Sequence, residues 1–383
     1  MPITKLKTAV GALALAGTMA GAAAAPAQAD DIRWKMPIAF SSNLPALGSP
    51  SQYVADQLKA ASGGSVQVRV FEPGELVPGL EILQAVSDGN VAAGYTWIGY
   101  DIGKIPSIPL FAATPFGMKP WAFIAWYHYG GGHEMLQEVY ANAGFNVHAQ
   151  LCGIIGPETA GWYHSPITGL DDYKGMKIRF AGLGGKVLQK LGASVTMMPG
   201  GELYQALQTG TLDATEFSLP VIDQILGFAD VVKYNLFPGW HQPFTAQYML
   251  INGDDWKSTT EAQKALIQTT CTAATTKALA ESEYKNGKVL QGFQDQGVKA
   301  EQIPKRRPDG SCSKITREVL QGRSPERRGL RAGLRESSRS SMQLLQDLGQ
   351  ARLHASRTCY CSEEPDCRRS NRLIPAPGAP GVI

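Results

Sequence analysis

Arginine is scarce through most of this 383-residue chain: Arg33, Arg69 and Arg179 are the only three in the first 305 residues, where lysine supplies the ordinary positive charge. An arginine in such a background marks a place that needs a planar, permanently charged fork of donors rather than a point charge. Long apolar runs are missing as well. Beyond residue 29 no stretch reaches the roughly 18 uninterrupted apolar residues of a membrane helix. Catalytic signatures are absent in turn: there is no G-x-S-x-G, His133-Glu134 has no second histidine at metalloprotease spacing, and Gly182-x-Gly184 lacks the third glycine of a dinucleotide loop. The six histidines are scattered, none with a serine or cysteine partner at a recognisable spacing. Cysteine is sparse, with Cys152 and Cys271 alone between residues 30 and 304. In an oxidising compartment they either pair or sit as two buried small hydrophobes.

What is present begins with an export signal at 1–29: Lys5 and Lys7, an alanine-rich apolar run, then Ala27-Gln28-Ala29 before Asp30. That order is a cleaved signal peptide, so the mature protein is expected to be extracytoplasmic and to start at Asp30. Residues 30–304 carry 15 Lys and 3 Arg against 25 acidic residues. This acidic body has no nucleic-acid footprint. Residues 305–383 differ abruptly, with 14 arginines, four cysteines and no Trp or Phe. Such a composition is that of an out-of-frame translation or of a disordered basic tail. Within it only 314–320, and a weaker stretch at 342–348, read as helical.

From Asp30 onward strand and helix patterns alternate at the pace of a doubly wound α/β protein. Strands are expected at 32–40, 65–71 and 91–100, helices at 51–61 and 79–89, and a broken helix at 121–143 around Gly130-Gly131-Gly132. A strand at 146–151 leads into the turn-rich segment 156–163. The body is about 275 residues, more than one core usually serves. The expected arrangement is therefore two α/β lobes facing a cleft: 30–150, then 151–255, with 256–304 returning across them.

The most informative stretch is 174–242. Lys177-Ile178-Arg179-Phe180 reads as a short strand, and Gly182-Leu183-Gly184-Gly185 turns the chain into a helix with Val187, Leu188 and Leu191 on its apolar side. Arg179 thus stands at the carboxyl end of a strand, where open α/β sheets bind ligands beside helix N-termini. A guanidinium there suits a carboxylate held by two parallel hydrogen bonds. The unit then repeats, ending in a third strand, 212–217, that closes on Glu216 beside Phe217. Tyr100, Trp162 and Trp240 are candidate pocket walls, since clefts set rigid aromatics around a few polar groups. Asn43 in the polar loop 41–50 is a further candidate contact.

The order and spacing of Gly175-Met176-Lys177-Ile178-Arg179, of 200–210 (GGELYQALQTG) and of Leu212-Asp213-Ala214-Thr215-Glu216 resemble the DctP-type solute-binding proteins of tripartite ATP-independent periplasmic (TRAP) transporters. The resemblance runs from the signal to about Pro304 and is nearest the 2-oxoacid and lactate binders. It implies a two-lobed protein with a long connecting helix, closing on an organic acid that it delivers to sodium-driven permease subunits. It places the carboxylate clamp on Arg179. A Na⁺ or Ca²⁺ bridge is implied at Glu216, the backbone of Phe217 and the Pro157-Glu158 loop, with Gln242 as another contact. The branch often has glutamine where Glu158 stands and tryptophan where Phe217 stands. Two carboxylates plus a substrate carboxylate favour a hard divalent ion such as Ca²⁺ over Na⁺. In some relatives a C-terminal helix packs into a partner subunit, so a homodimer belongs to what the resemblance implies.

Three other functions compete. A C4-dicarboxylate binder would want a second cation in the cleft, for which Lys186 is the candidate. A sensory binding protein would have the same pocket and report to a receptor. A secreted hydrolase would use Glu158 and Glu216 as a carboxylate pair and turn over its substrate.

Overall fold

The computed structural model describes residues 30–301 together with Thr316, Glu318 and Val319. The expected export signal at 1–29 and the rest of the arginine-rich segment, including 342–348, lie outside the described residues. The three described positions beyond 301 fall in the expected 314–320 helix and are helical, with Val319 packed on Leu183 and Val187.

Among the described residues eleven strands form three sheets: the two smaller are bridged into one layer, and the six-stranded one makes the second. β1 (Ile32–Pro37) alternates, burying Ile32, Trp34 and Met36 while Arg33 and Lys35 face solvent, and pairs in parallel with β2 (Val66–Phe71). An Ile38↔Tyr95 bridge joins this pair to β3 (Ala93–Thr96). β3 lies against β10 (Thr245–Asn252), which runs antiparallel to β4 (Val147–Ile155). Every residue of β10 is buried, because the strand is central and covered on both faces. The second sheet has the order β11-β9-β5-β8-β6-β7: Lys299–Glu301, Tyr234–Leu236, Gly161–Tyr163, Ala214–Thr215, Lys177–Arg179 and Ser194–Thr196.

This distribution differs from the expected division at residue 150. β4 runs five residues past that point inside the first sheet, and β10 returns to the first sheet although it falls within 151–255. Pairing with β3 and β4 decides where β10 belongs, and no local pattern reports a long-range partner. The expected strand 91–100 also shortens: Ile98–Gly103 winds as a 3-10 helix after Trp97. Gly99 permits this, since a Cβ there would lie 2.2 Å from the Trp97 ring. The turn brings Tyr100 round to the cleft. Likewise 212–217 keeps only Ala214–Thr215 in the ladder, which frees Glu216 and Phe217 to turn inward.

One helix, Glu261–Gly292, spans 32 residues and touches both layers. Its start is fixed by a capping box in which Thr260 accepts from the Gln263 N–H and Gln263 reaches back to the Thr260 N–H. Ile267, Cys271 and Ala274 pack on the first sheet, with a Cys152–Cys271 disulfide to β4. Further along, Asn286 accepts the Val221 N–H of the second lobe at 3.3 Å. Among the described residues no helix is long and apolar enough to cross a membrane.

Candidate functional site

Arg179 is the last residue of β6 and is 1% exposed. A buried guanidinium must be satisfied, and Glu216, on the neighbouring chain segment after β8, does most of this. Arg179 Nη1 donates to the Glu216 carbonyl at 2.5 Å and to its Oε2 at 3.0 Å, while Nε donates to the Met198 carbonyl at 3.4 Å. The ring of Phe217 lies 5.2 Å from the guanidinium carbon. Hydrogen bonds among the described residues thus occupy Nε and Nη1, and the Tyr100 hydroxyl is a further hydrogen-bond partner of the guanidinium. Burial pushes the Tyr100 hydroxyl up to about 12, with the nearby Arg179 charge opposing it.

Glu216 Oε2 also accepts the Ala181 N–H at 3.0 Å, at the head of the Gly182–Lys190 helix. Burial alone would raise this carboxyl, but Arg179, His241 and the Ala181 N–H outweigh it and hold the group down at about 2. Glu158, in the loop between β4 and β5, faces the opposite balance. Its burial dominates, the Glu216 charge adds to it, and the group rises to about 7 despite His241 and Thr245. Thr245 donates to Glu158 Oε1 at 2.7 Å, and Gln242 donates to Oε2.

The cleft between the two layers is lined by Tyr100, Glu158, Arg179, Phe217 and Gln242, with Phe40, Leu47, Trp97, Ala181, Ser218 and Thr245. Its volume is about 240 Å³, counting the open mouth. Five of the expected site residues therefore meet there, and Glu216 stands directly behind through Arg179. Three do not line it. Trp162 is fully buried in β5, its ring against Phe228 and Phe293 and its indole N–H given to Asp223 at 2.8 Å, so it is core. Asn43 is exposed, and the same loop offers Phe40 and Leu47 instead. Trp240 stacks between Phe116 and Phe180 beside the cleft. Lys186 is half-buried and does not line the cleft either.

His241 is the residue the sequence reading passed over. It is buried, and its Nε2 stands 3.3 Å from Glu216 Oε1 and 3.8 Å from Glu158 Oε2. Burial opposes its protonation, but the two carboxylates outweigh that and raise its pKa. The glycine-rich turn after β6 makes room for it: a Cβ at Gly184 would meet the Phe180 ring at 2.5 Å and His241 Cβ at 2.7 Å. One oxygen each from Glu158 and Glu216 and a ring nitrogen of His241 lie within 4.8 Å of one another. A second unforeseen group is Asp223, whose carboxylate accepts from Thr159, Trp162 and the Ser218 N–H, tying the segment next to Glu158 to the one next to Phe217.

A two-lobed α/β body with an arginine and two carboxylates buried at the cleft is the arrangement of a binder of small acids. The chain belongs to the bacterial extracellular solute-binding protein family 7 (DctP), whose profile matches residues 41–309. It is 34% identical over 260 residues, 68% of this chain and 71% of the relative, to a monocarboxylate 2-oxoacid-binding periplasmic protein of Nostoc sp.. It is similar in structure to a TRAP transporter solute-binding protein from Bordetella bronchiseptica, solved as a mixed-occupancy dimer with calcium and picolinate. The TM-score is 0.78 and the identity 27%, covering 86% of this chain and 97% of the other. A TRAP solute-binding protein from Pseudoalteromonas atlantica with bound sodium and pyruvate gives 0.77 and 27%, covering 88% and 100%. This chain is thus a TRAP-type periplasmic solute-binding protein, of a class that works with membrane permease subunits.

Proposed function

We propose that this protein captures a small 2-oxo or 2-hydroxy monocarboxylate, without turnover, and hands it to TRAP permease subunits. The observation that carries the reading is the charge arrangement of the cleft. Arg179 is the only cationic side chain among the lining residues, and it lines the cleft beside Tyr100. Beside it stand Glu216, held ionised, Glu158, raised by burial to about 7, and His241, whose pKa the two carboxylates raise. A ligand carboxylate adds negative charge beside these buried carboxyl groups, and a bound cation such as Na⁺ or Ca²⁺ offsets it. The buried Glu216 Oε1 without a hydrogen-bond partner fits a cation ligand. Glu216, Glu158 and the Phe217 carbonyl are the groups that would hold it. When bound, the cation supplies positive charge to the ligand's 2-oxo or 2-hydroxy oxygen. Arg179 orients the carboxylate, and Tyr100, Phe40 and Leu47 exclude water from the small apolar remainder.

The relative from Nostoc sp. and the sodium-pyruvate and calcium-picolinate structures support the same ligand class and a bridging ion. The small volume and the single lining cation weigh against a C4-dicarboxylate. The proposal extends to a periplasmic location reached through the 1–29 signal, and to a homodimer of the kind seen in the Bordetella relative, which light scattering reads directly.

The test is calorimetric titration of the exported protein with pyruvate, lactate and succinate, each with chelator, Na⁺ or Ca²⁺. Stoichiometric, cation-dependent binding of the monocarboxylates is expected. Cation-independent preference for succinate, or consumption of any of these compounds, would overturn the reading.

A further inference from the structure

Leu47 reaches the cleft from the loop 41–50, beside Phe40, and forms part of its apolar wall. The loop is wound tightly: a Cβ at Gly48 would lie 1.9 Å from the Ser41 carbonyl oxygen. Ala46, the residue just before Leu47, is buried and sits at φ 61°. Left-handed backbone brings the Cβ of an L-residue against its own carbonyl oxygen, so alanine does not choose it. Such a conformation persists only where contacts around it outweigh the strain.

The contact that does so comes from the far end of the chain. Glu281, on the long Glu261–Gly292 helix, accepts the Ala46 N–H on Oε2 at 3.0 Å and the Ser49 hydroxyl on the same oxygen at 3.2 Å. The Ser49 hydroxyl in turn accepts from the Ala46 N–H at 3.0 Å. Lys285 donates to Oε1 at 2.6 Å, which leaves Oε2 to the loop. Burial opposes ionisation of Glu281, but Lys285, Ser49 and the Ala46 N–H outweigh it and lower its pKa. A carboxylate that accepts a backbone N–H makes one of the stronger hydrogen bonds a loop can have. The same stretch of helix steadies the other segments of the cleft. The Ser282 hydroxyl accepts the Gly156 N–H at 3.3 Å, two residues before Glu158, and Asn286 accepts the Val221 N–H at 3.3 Å, three residues after Ser218.

We propose that Glu281 is a positioning residue of the cleft: by holding Ala46 in its left-handed conformation it presents Leu47 as the apolar wall, and so limits the length of acid that fits. Glu281 itself does not line the cleft. This rests on the proposed function above and narrows its substrate class to acids with a short apolar end.

The experiment is calorimetric titration of the exported protein, with Na⁺ and Ca²⁺ present, using pyruvate, 2-oxobutyrate and 2-oxo-4-methylpentanoate. Wild-type affinity is expected to fall along this series. Glu281→Ala frees the loop and should narrow the gap between the first and last acids about 10-fold or more, one methylene against a fitted wall being worth about that much. Leu47→Ala, which removes the wall itself, should narrow it likewise. Glu281→Gln keeps an acceptor for the Ala46 N–H, and Glu281→Ala combined with Ala46→Gly removes the strain, so both should return the gap toward wild type. Tyr284→Ala, on the same helix and 84% exposed, should leave the gap unchanged. An unmoved gap in Glu281→Ala, or an equal shift in Tyr284→Ala, would overturn the proposal. So would a loss of affinity in equal proportion for all three acids, which is what a merely structural role produces. Where the alanine variant does not fold, Glu281→Asp carries the same test, since it keeps the charge and draws the carboxylate back by one methylene. Wild type that binds none of the three acids defeats the proposed function. Wild type that binds them with a gap that no Glu281 variant moves defeats this proposal alone.

Discussion

Arg179 is shared between Glu216 and the cleft, which makes its replacement informative only if the two duties are separated. Truncation to alanine would leave Glu216 buried and unpaired, a loss of about 3–5 kcal/mol in stability, and would confuse folding with binding. Arg179→Lys keeps the charge and removes the fork. It is expected to melt close to wild type while acid affinity falls by about 2 kcal/mol or more, some 30-fold. Calorimetry beside a thermal melt checks this, and undiminished affinity would sink the clamp. Asp223 makes a second prediction at this scale. Burial raises its pKa from 3.8 to about 7, against the pull of three hydrogen-bond donors. Between those values the native state holds a proton that the unfolded state has lost, so this group's contribution is full at acid pH. It declines as pH rises from about 4 to 7, by up to about 4 kcal/mol. Glu158 acts in the same direction and Glu216 in the opposite one. Asp223→Asn is expected to lower stability at pH 5 and to flatten the decline between pH 5 and 7.5 in denaturant titrations; an unaltered decline would show that Asp223 is not the group holding the proton. Neither Asp223 nor His241 was legible in the sequence. Each gains its role from loops far apart in the chain, and a lone aspartate or histidine has no spacing to reveal it. Arg179 and Glu216 were legible because rarity and position at strand ends survive in one dimension. Trp162 was misread because a three-residue strand does not report which side of the sheet its aromatic takes.

The element that joins the two layers is the Glu261–Gly292 helix. Its apolar residues follow no single stripe, since one end packs on the first sheet and the other on the Pro220–Ile225 helix of the second lobe, and this is why its 32-residue length was not evident from periodicity. The Thr260-x-x-Gln263 capping signal marks its beginning in the sequence. The Cys152–Cys271 disulfide pins it to β4 and closes a loop of 119 residues. The chain-entropy treatment assigns such a loop about 4–5 kcal/mol. At about 2–4 °C per kcal/mol for a body of this size, reduction or the Cys152→Ala/Cys271→Ala double variant should melt about 10 °C or more below wild type. Neither cysteine lines the cleft, so acid affinity at 25 °C should change little. A double variant that melts like wild type would mean that packing along β4 already fixes the helix.

Across the whole molecule, ligand retention depends on what holds the two layers together at the mouth of the cleft. Phe116, from the connection before the Pro120–Tyr129 helix, stacks on Trp240 of the second lobe at 5.6 Å and 28°, and its N–H donates to the Trp240 carbonyl at 2.8 Å. Phe116 does this at φ 55°, a left-handed conformation that costs a non-glycine residue about 1–2 kcal/mol. Strain of that size persists only where surrounding contacts outweigh it. The Phe116–Trp240 pair is therefore expected to act as a clasp between the layers rather than as a ligand contact, since neither residue lines the cleft. A clasp acts on escape more than on entry. Phe116→Ala keeps the backbone hydrogen bond and removes the stack, worth about 0.5–1.5 kcal/mol. Acid dissociation should accelerate about 2- to 12-fold, with association nearly unchanged, in stopped-flow experiments that follow tryptophan fluorescence. Trp121→Ala is the control, exposed in the first turn of the Pro120–Tyr129 helix that follows and expected to leave both rates alone. Equal slowing of association and acceleration of dissociation would assign Phe116 to the pocket wall, and unchanged rates would leave closure to the long helix and the bound acid.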